Sequence, residues 1–268
     1  MTDVALTPPF GVGALLRDWR QRRRRSQLDL ALEAGVSARH VSFVETGRAR
    51  PSPEMVLHLA DQLEVPLRER NHLLLAAGFA PVYGERAIDT PEMAPVREAV
   101  RRLLAGHEPY PALVVDRHWG LVSANRALGG LLGGVSRHLL EPPVNVLRLS
   151  LHPEGLAPRI LNLPEWRGHL LDRLARDAVG SGDPALATLH DELAAYASHG
   201  PAASVDPAFG DIAVPLRLRQ GDDELTFIST KTTFGTAVDI TVAELSIESF
   251  FPANEETARA LRALAGAD

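Results

Sequence analysis

The sequence predicts an α+β protein in two parts. The first is an all-α five-helix domain over residues 1–80. After a linker and connecting helix over 81–107, the second is an α+β domain over 108–268 with a five-stranded antiparallel sheet. Three observations lead there. Apolar residues in the first eighty positions recur at helical spacing between closely set Ser, Gly and Pro punctuation. The last third is rich in Val, Ile, Thr and Phe in short runs between turn signals. The charge balance changes sign between them. Residues 1–86 hold 12 Arg against 10 Asp and Glu, net +2, whereas residues 87–268 hold 15 Arg and Lys231 against 24 acids, net −8, together the chain's −6.

In the first part, Val12, Leu15, Leu16 and Trp19 form one stripe of a helix that ends in the basic run Arg22–Arg25. Ser26 and Asp29 have the spacing of a capping box and start a second helix, with Leu30, Ala31 and Ala34 on its inner side and Gly35 at its end. Ser37 caps a third helix, with Val41 and Val44 facing inward, that ends before Gly47. Ser52 or Pro53 opens a fourth helix through Val56, Leu59, Ala60 and Leu63. Pro66 opens a fifth through Leu73, Leu74 and Ala77, closed by Gly78. Pro81, Gly84, Pro91 and Pro95 then mark the boundary.

Beyond it a helix is expected over Ala94–Leu104. Tyr110–Val115 and Gly120–Ala124 read as a hairpin around Asp116-Arg117-His118. Residues 125–140, 164–178 and 184–198 read as helices. Ile212–Leu218, Leu225–Thr233 and Ala237–Ile247 read as a three-strand meander that Pro252 ends, with a closing helix over 254–265.

Composition narrows the function. With 45 % hydrophobic and 23 % charged residues the chain is globular. It has no cysteine, which excludes disulfides, thiolate-held metals and Cys nucleophiles. The apolar stretch Ala127–Val135 is far short of the roughly 18 residues that span a bilayer, so no membrane partner is expected. Asp3 precedes any apolar run and no signal peptide is visible, so a cytoplasmic location is expected. The acidic total speaks against nucleic acid only until it is divided: residues 17–50 hold nine Arg against four acids, net +5.

That basic segment contains Ser26-Gln27, Leu30-Ala31, Ala34-Gly35-Val36-Ser37, Val41-Ser42, Glu45-Thr46-Gly47-Arg48 and Pro51. Two helices joined at Gly35 can hold the second across a groove, leaving Ala38, Arg39, His40, Ser42 and Phe43 outward. The pattern resembles the Cro/repressor-type (XRE) helix-turn-helix family over about residues 11–78. The resemblance implies double-stranded DNA as partner. It implies that Gln27 binds phosphate, that Ser37 and His40 lie near the backbone, and that Ala38, Arg39 and Phe43 stand where base edges are read. Arg48 and Arg50 would bind phosphate. Phe43 departs from the polar residue often found there, so it either touches thymine methyl or sugar or simply packs. The run Arg22–Arg25 is either a flanking phosphate contact or a solvated face.

The second part is similar to the ligand-binding domain of the MmyB-like transcription regulators over roughly residues 108–265. The resemblance is carried by Pro111-Ala112-Leu113-Val114-Val115-Asp116, Trp119, Ala124-Asn125 and Asn145-Val146-Leu147-Arg148. It continues through His152-Pro153, Asn162 to Trp166, Asp183-Pro184, Glu192-Leu193, Phe227 to Phe234-Gly235-Thr236 and Phe250-Phe251-Pro252. It departs from the family where His199-Gly200-Pro201 replaces a Trp-His-Asp piece. The resemblance implies a PAS-like fold with a hydrophobic pocket between sheet and helices. The pocket would suit a small apolar ligand such as a fatty acid or acyl derivative, with Trp119, Asn125, Asn145, Arg148, Trp166, Phe227 and Phe234 near it. Core packing accounts for the aromatic residues as well, and buried backbone groups for Arg148 and the asparagines. No other cofactor and no metal are expected.

The expected function is therefore a sequence-specific DNA-binding transcription regulator, a homodimer that senses an apolar ligand. Two other classes compete. One is a repressor whose second domain is a dimerisation or protein-interaction module with no small-molecule ligand. The other is a hydrolytic or metal-dependent enzyme using His190-Asp191-Glu192 and the histidines at 152, 169 and 199, whose spacing matches no metal or nucleophile motif. No catalytic residue is expected.

Overall fold

The computed structural model describes residues 11–196 and 213–266, and the protein divides into two compact units that are taken in turn. The first holds five helices: α1 (Val12–Arg22), α2 (Gln27–Glu33), α3 (Ala38–Glu45), α4 (Pro53–Gln62) and α5 (Leu67–Ala76). Their starts are set by side chains. Ser26 and Asp29 exchange both hydrogen bonds of a capping box, and Ser37 and Ser52 accept from the amides of His40 and Met55. Such caps contribute about 1 kcal/mol each. Gly35 turns the chain between α2 and α3 at φ +62°, a conformation a Cβ resists. Leu16, Trp19, Leu30, Ala31, Val41, Val44, Val56, Leu59 and Leu73 close the core beneath.

The second unit begins, after a 3-10 turn at Pro91–Met93, with α6 (Ala94–Gly106). The hairpin β1 (Ala112–Val115) and β2 (Leu121–Ala124) follows, then α7 (Arg126–Gly130), a 3-10 turn at Arg137–Leu139, α8 (Val146–Leu151) and a 3-10 turn at Ala157–Arg159. Next come α9 (Leu163–Ser181), α10 (Pro184–Ala195), β3 (Leu216–Gln220), β4 (Asp223–Thr233), α11 (Ile240–Ala243), β5 (Ser246–Pro252) and α12 (Glu255–Gly266). The five strands form one antiparallel sheet in the order β2-β1-β5-β4-β3.

The sheet separates two apolar layers, because successive side chains of a strand point to opposite faces. Leu113, Val115, Leu216, Leu218, Leu225 and Phe227 face α7 to α10. Ala112, Val114 and Ile247 face Val100 and Leu104 of α6.

Three expectations need correction. Ala237–Ile247 is not a strand: α11 occupies its middle, and the fifth strand runs from Ser246 through Pro252. The β-branched residues there favour a strand locally, but the helical turn buries Ile240, Val242 and Leu245, and that burial decides. The helix expected over 125–140 is a five-residue α7 and a separate 3-10 turn. Val146–Leu151, assigned no structure from the sequence, is the helix α8. His199-Gly200-Pro201 and Ile212 lie outside the described residues.

Candidate functional site: a nucleic-acid interface and an apolar cavity

The candidate recognition face is built on α3. Arg39 is exposed, and its guanidinium lies over the Phe43 ring at 5.1 Å. Arg48 approaches the same ring at 6.0 Å. The backbone strengthens the arrangement, since the Phe43 carbonyl accepts from the amides of Arg48 (2.8 Å) and Ala49 (3.0 Å). Phe43 is thus a half-buried platform that holds one arginine on the helix and one in the following loop. Arg50 is exposed beside them, and Ser42 is half-buried. Ser37 serves as the N-cap. Ala38 packs against the edge of the core. His40 is half-buried, and its Nε2 has no hydrogen-bond partner among the described residues.

An ion pair and a glutamine form a polar triad at the inner side of α3. Arg20 donates to both oxygens of Glu45, from Nε at 2.6 Å and Nη2 at 2.9 Å, and Gln27 Nε2 donates to Glu45 Oε2 at 2.8 Å. Arg20 Nη1 also donates to the Arg25 carbonyl at 2.7 Å. The Glu45 side chain is 2 % exposed. Burial pushes its carboxyl up, but the bonds from Arg20 and Gln27 outweigh that and hold it below the ordinary range. The Arg20 guanidinium is held above its ordinary value by the hydrogen bond to Glu45. Gln27, anticipated as a phosphate ligand, is therefore tied to the end of the recognition helix. The sequence marks Glu45 as part of the motif but gives no sign of its partnership with Arg20, which spans two helices.

Most of the basic run Arg22–Arg25 is engaged within the domain. Arg22 pairs with Asp18, Arg25 with Glu33, and Arg23 donates to the carbonyls of Leu63 and Glu64 at 3.0 Å. Three of the four thus act as structural ties, and the positive charge left facing outward on α3 and its loop comes from Arg39, Arg48 and Arg50.

The second unit contains a cavity of about 80 Å³ between the sheet and α7 to α9. That is room for on the order of six waters. Trp119, Trp166 and Phe227, three of the anticipated residues, line it, together with leucines of β1, α7, α8, α9 and β3. Trp119 sits in the β1–β2 turn at φ +64°, where a bulky residue is rare. Asp116 Oδ1 accepts from the amides of His118 and Gly120, both at 2.8 Å, and fixes that turn. Trp166 donates from Nε1 to Ser150 Oγ at 3.1 Å, and its ring stacks on His169 at 5.6 Å. Burial first, then the positive charges of Arg173 and Arg176, hold the His169 imidazole below its ordinary range.

The other four anticipated residues do not line the cavity. Asn125 caps α7: its Oδ1 accepts from the amides of Ala112 and Leu128, and Nδ2 donates to the Tyr110 carbonyl at 2.7 Å. Asn145 caps α8 and donates to the His118 carbonyl at 2.8 Å, so it acts on the site only by bracing the turn that carries Trp119. Arg148 is engaged by Glu192 through two bonds of 2.7 and 2.6 Å, and Tyr196 donates to the same carboxylate at 2.7 Å. Glu192 is accordingly held below its ordinary range by the Arg148 hydrogen bond, and burial first, then Glu192, pushes the Tyr196 hydroxyl up to about 12. Phe234 packs on the opposite side of the sheet, against the α6 layer.

The charged residues on the cavity wall are instead Arg173 of α9 and Glu248 of β5. Arg173 Nη1 donates to Glu248 Oε2 at 3.1 Å and Nη2 to Oε1, while the guanidinium lies over the Trp119 ring at 4.5 Å. The one sequence signal for them was a glutamate set between Ile247 and the Phe250-Phe251 pair.

Residues 96–264 match the family model described as the MmyB-like transcription regulator ligand binding domain, and residues 12–73 match one described as a helix-turn-helix domain. No curated protein is matched. Among the described residues no helix is long and apolar enough to cross a membrane.

Proposed function

Because the chain belongs to the MmyB-like transcription regulators, DNA-binding proteins with a ligand-binding domain, we propose that it is a sequence-specific regulator whose second domain senses a small apolar molecule of the fatty-acid or acyl-derivative class. The observation that carries this reading is the cavity itself. Its walls are aromatic and aliphatic apart from one ion pair and two serines, which is how a site for an apolar body with one polar end is built.

We read the DNA contacts as divided between specificity and positioning. Arg39 reaches base edges, Phe43 orients it, and Arg48 and Arg50 meet phosphates. A homodimer would place two copies of α3 in successive major grooves about 34 Å apart. We read the five-stranded sheet with its helical insertion as PAS-like, on the support of its all-antiparallel order. Ligand occupancy would shift the population of DNA-binding-competent states by its differential affinity for them.

The experiment combines footprinting of the protein on its own promoter region with native mass spectrometry of gently purified protein. Protection over a symmetric site and an apolar adduct support the reading. Absence of protection refutes the DNA assignment. Absence of both an adduct and a thermal shift across a panel of fatty acids, esters and alcohols refutes the ligand assignment.

A further inference from the structure

We propose that the cavity selects an amphiphile with an uncharged head, an alcohol, ester or amide, over a free carboxylate. This rests on the ligand reading above and narrows it.

Arg173 and Glu248 are already matched one to one. Both Nη atoms of the arginine donate to the two carboxylate oxygens, and a face of the guanidinium covers Trp119. The Glu248 side chain is only 6 % exposed and that of Arg173 15 %. Lys231 lies over the same indole at 5.8 Å, but it sits 4.0 Å from Asp177 and is not part of the wall.

A carboxylate entering this cavity has two ways to reach the guanidinium. It can displace Glu248, which leaves that carboxylate between Leu113, its partner in register on β1, and Lys231, its partner on β4, whose ammonium already faces Asp177. Or it can share the guanidinium, which places two negative charges on one positive charge away from water. Either arrangement leaves a buried charge uncompensated, which outweighs what the carboxylate gains over hydration. An uncharged head meets no such conflict. The hydroxyls of Ser150 on α8 and Ser229 on β4 also line the cavity, Ser150 already accepting from Trp166 and Ser229 being the diagonal neighbour of Glu248 across β4 and β5, and the Glu248 oxygens can accept a further donor.

The test measures binding of octanol, methyl octanoate and octanoate to the full chain by titration calorimetry at neutral pH. The two uncharged ligands should bind wild type at least about tenfold more tightly than octanoate, the penalty expected for an unpaired buried charge. Glu248→Gln leaves the Arg173 charge unmatched, so octanoate should gain about tenfold or more relative to octanol, and circular dichroism of the variant reports independently that it is folded. Equal or tighter binding of octanoate to wild type overturns the inference while leaving the pocket a ligand site. Failure of all three to bind overturns the ligand reading on which it stands. The wild-type comparison decides the matter even if the variant fails to fold.

Discussion

Replacing Glu45 by alanine tests how the recognition helix is held. The substitution removes three hydrogen bonds from one carboxylate, two from Arg20 and one from Gln27. Arg20 keeps its bond to the Arg25 carbonyl, but its charge stays behind in a site where its own side chain is 9 % exposed. A buried charge deprived of its partner costs about 3–5 kcal/mol. Against a domain stability of roughly 5–15 kcal/mol, that removes a large fraction of the total. The loss belongs to α1, α2 and α3, which the triad joins, and should leave the sheet untouched. Native-state hydrogen exchange resolves this better than a single melting curve, because it reports on each of the two compact units separately. Amides of α1 to α5 should exchange from states lowered by about 3–5 kcal/mol in Glu45→Ala. Replacing both Arg20 and Glu45 by methionine should recover most of the loss, since well-packed apolar side chains match or exceed a buried ion pair. A cost below about 1 kcal/mol, the level of an exposed pair, refutes the reasoning, as does a cost that appears in the sheet.

Other outcomes follow from the same geometry. Arg39→Ala should weaken specific binding by about 1–3 kcal/mol and relax preference at one base pair, whereas Arg48→Ala should weaken all sequences alike and lower the salt slope by about 1, both read by fluorescence anisotropy. Gly13→Ala would place a Cβ 2.3 Å from the Val44 carbonyl oxygen, so α1 and α3 must part, at about 1–3 kcal/mol in chemical denaturation. Leu131→Trp should fill the cavity and abolish ligand binding in calorimetry while DNA binding without ligand is kept. The folded Glu45 carboxyl is held below its ordinary range, so its contribution is fully present above the unfolded value near 4.5 and is lost as pH falls through the lowered folded value. Acid unfolding of the first unit should show this limb, and Glu45→Gln should flatten it.

The helical half was legible because its instructions are local. Ser26 with Asp29, Gly35, Ser37 and Pro53 each act within a few residues of the boundary they set. The α8 segment hid because Leu147, Leu149 and Leu151 alternate as in a strand, and only the Asn145 cap signals otherwise. The fifth strand was displaced because β-branched residues over 237–242 carry the same local preference whether they form a strand or are buried in a short helical turn. In the cavity, aromatic bulk announced Trp119, Trp166 and Phe227. The polar end was invisible because Arg173 and Glu248 are 75 residues apart and meet only through the fold. Asn125, Asn145 and Arg148 showed the converse: polar residues among apolar ones were satisfying caps and an ion pair, which a sequence cannot distinguish from groups that await a ligand.

The sheet is also a partition one residue thick. Leu113 borders the cavity, and its covalent neighbour Val114 packs in the layer of α6. Glu248 and Ile247 of β5 stand in the same relation. Only the sheet backbone separates the cavity side from the buried α6 layer. Val114 and Ile247, the chain neighbours of Leu113 and Glu248, share one apolar cluster with Val100 and Leu104. In the order of the chain, α6 is the first long helix after the DNA-binding helices end at Ala76. The wall that lines the cavity is the same wall against which that helix is seated, so the two faces of one sheet carry the cavity and the helix.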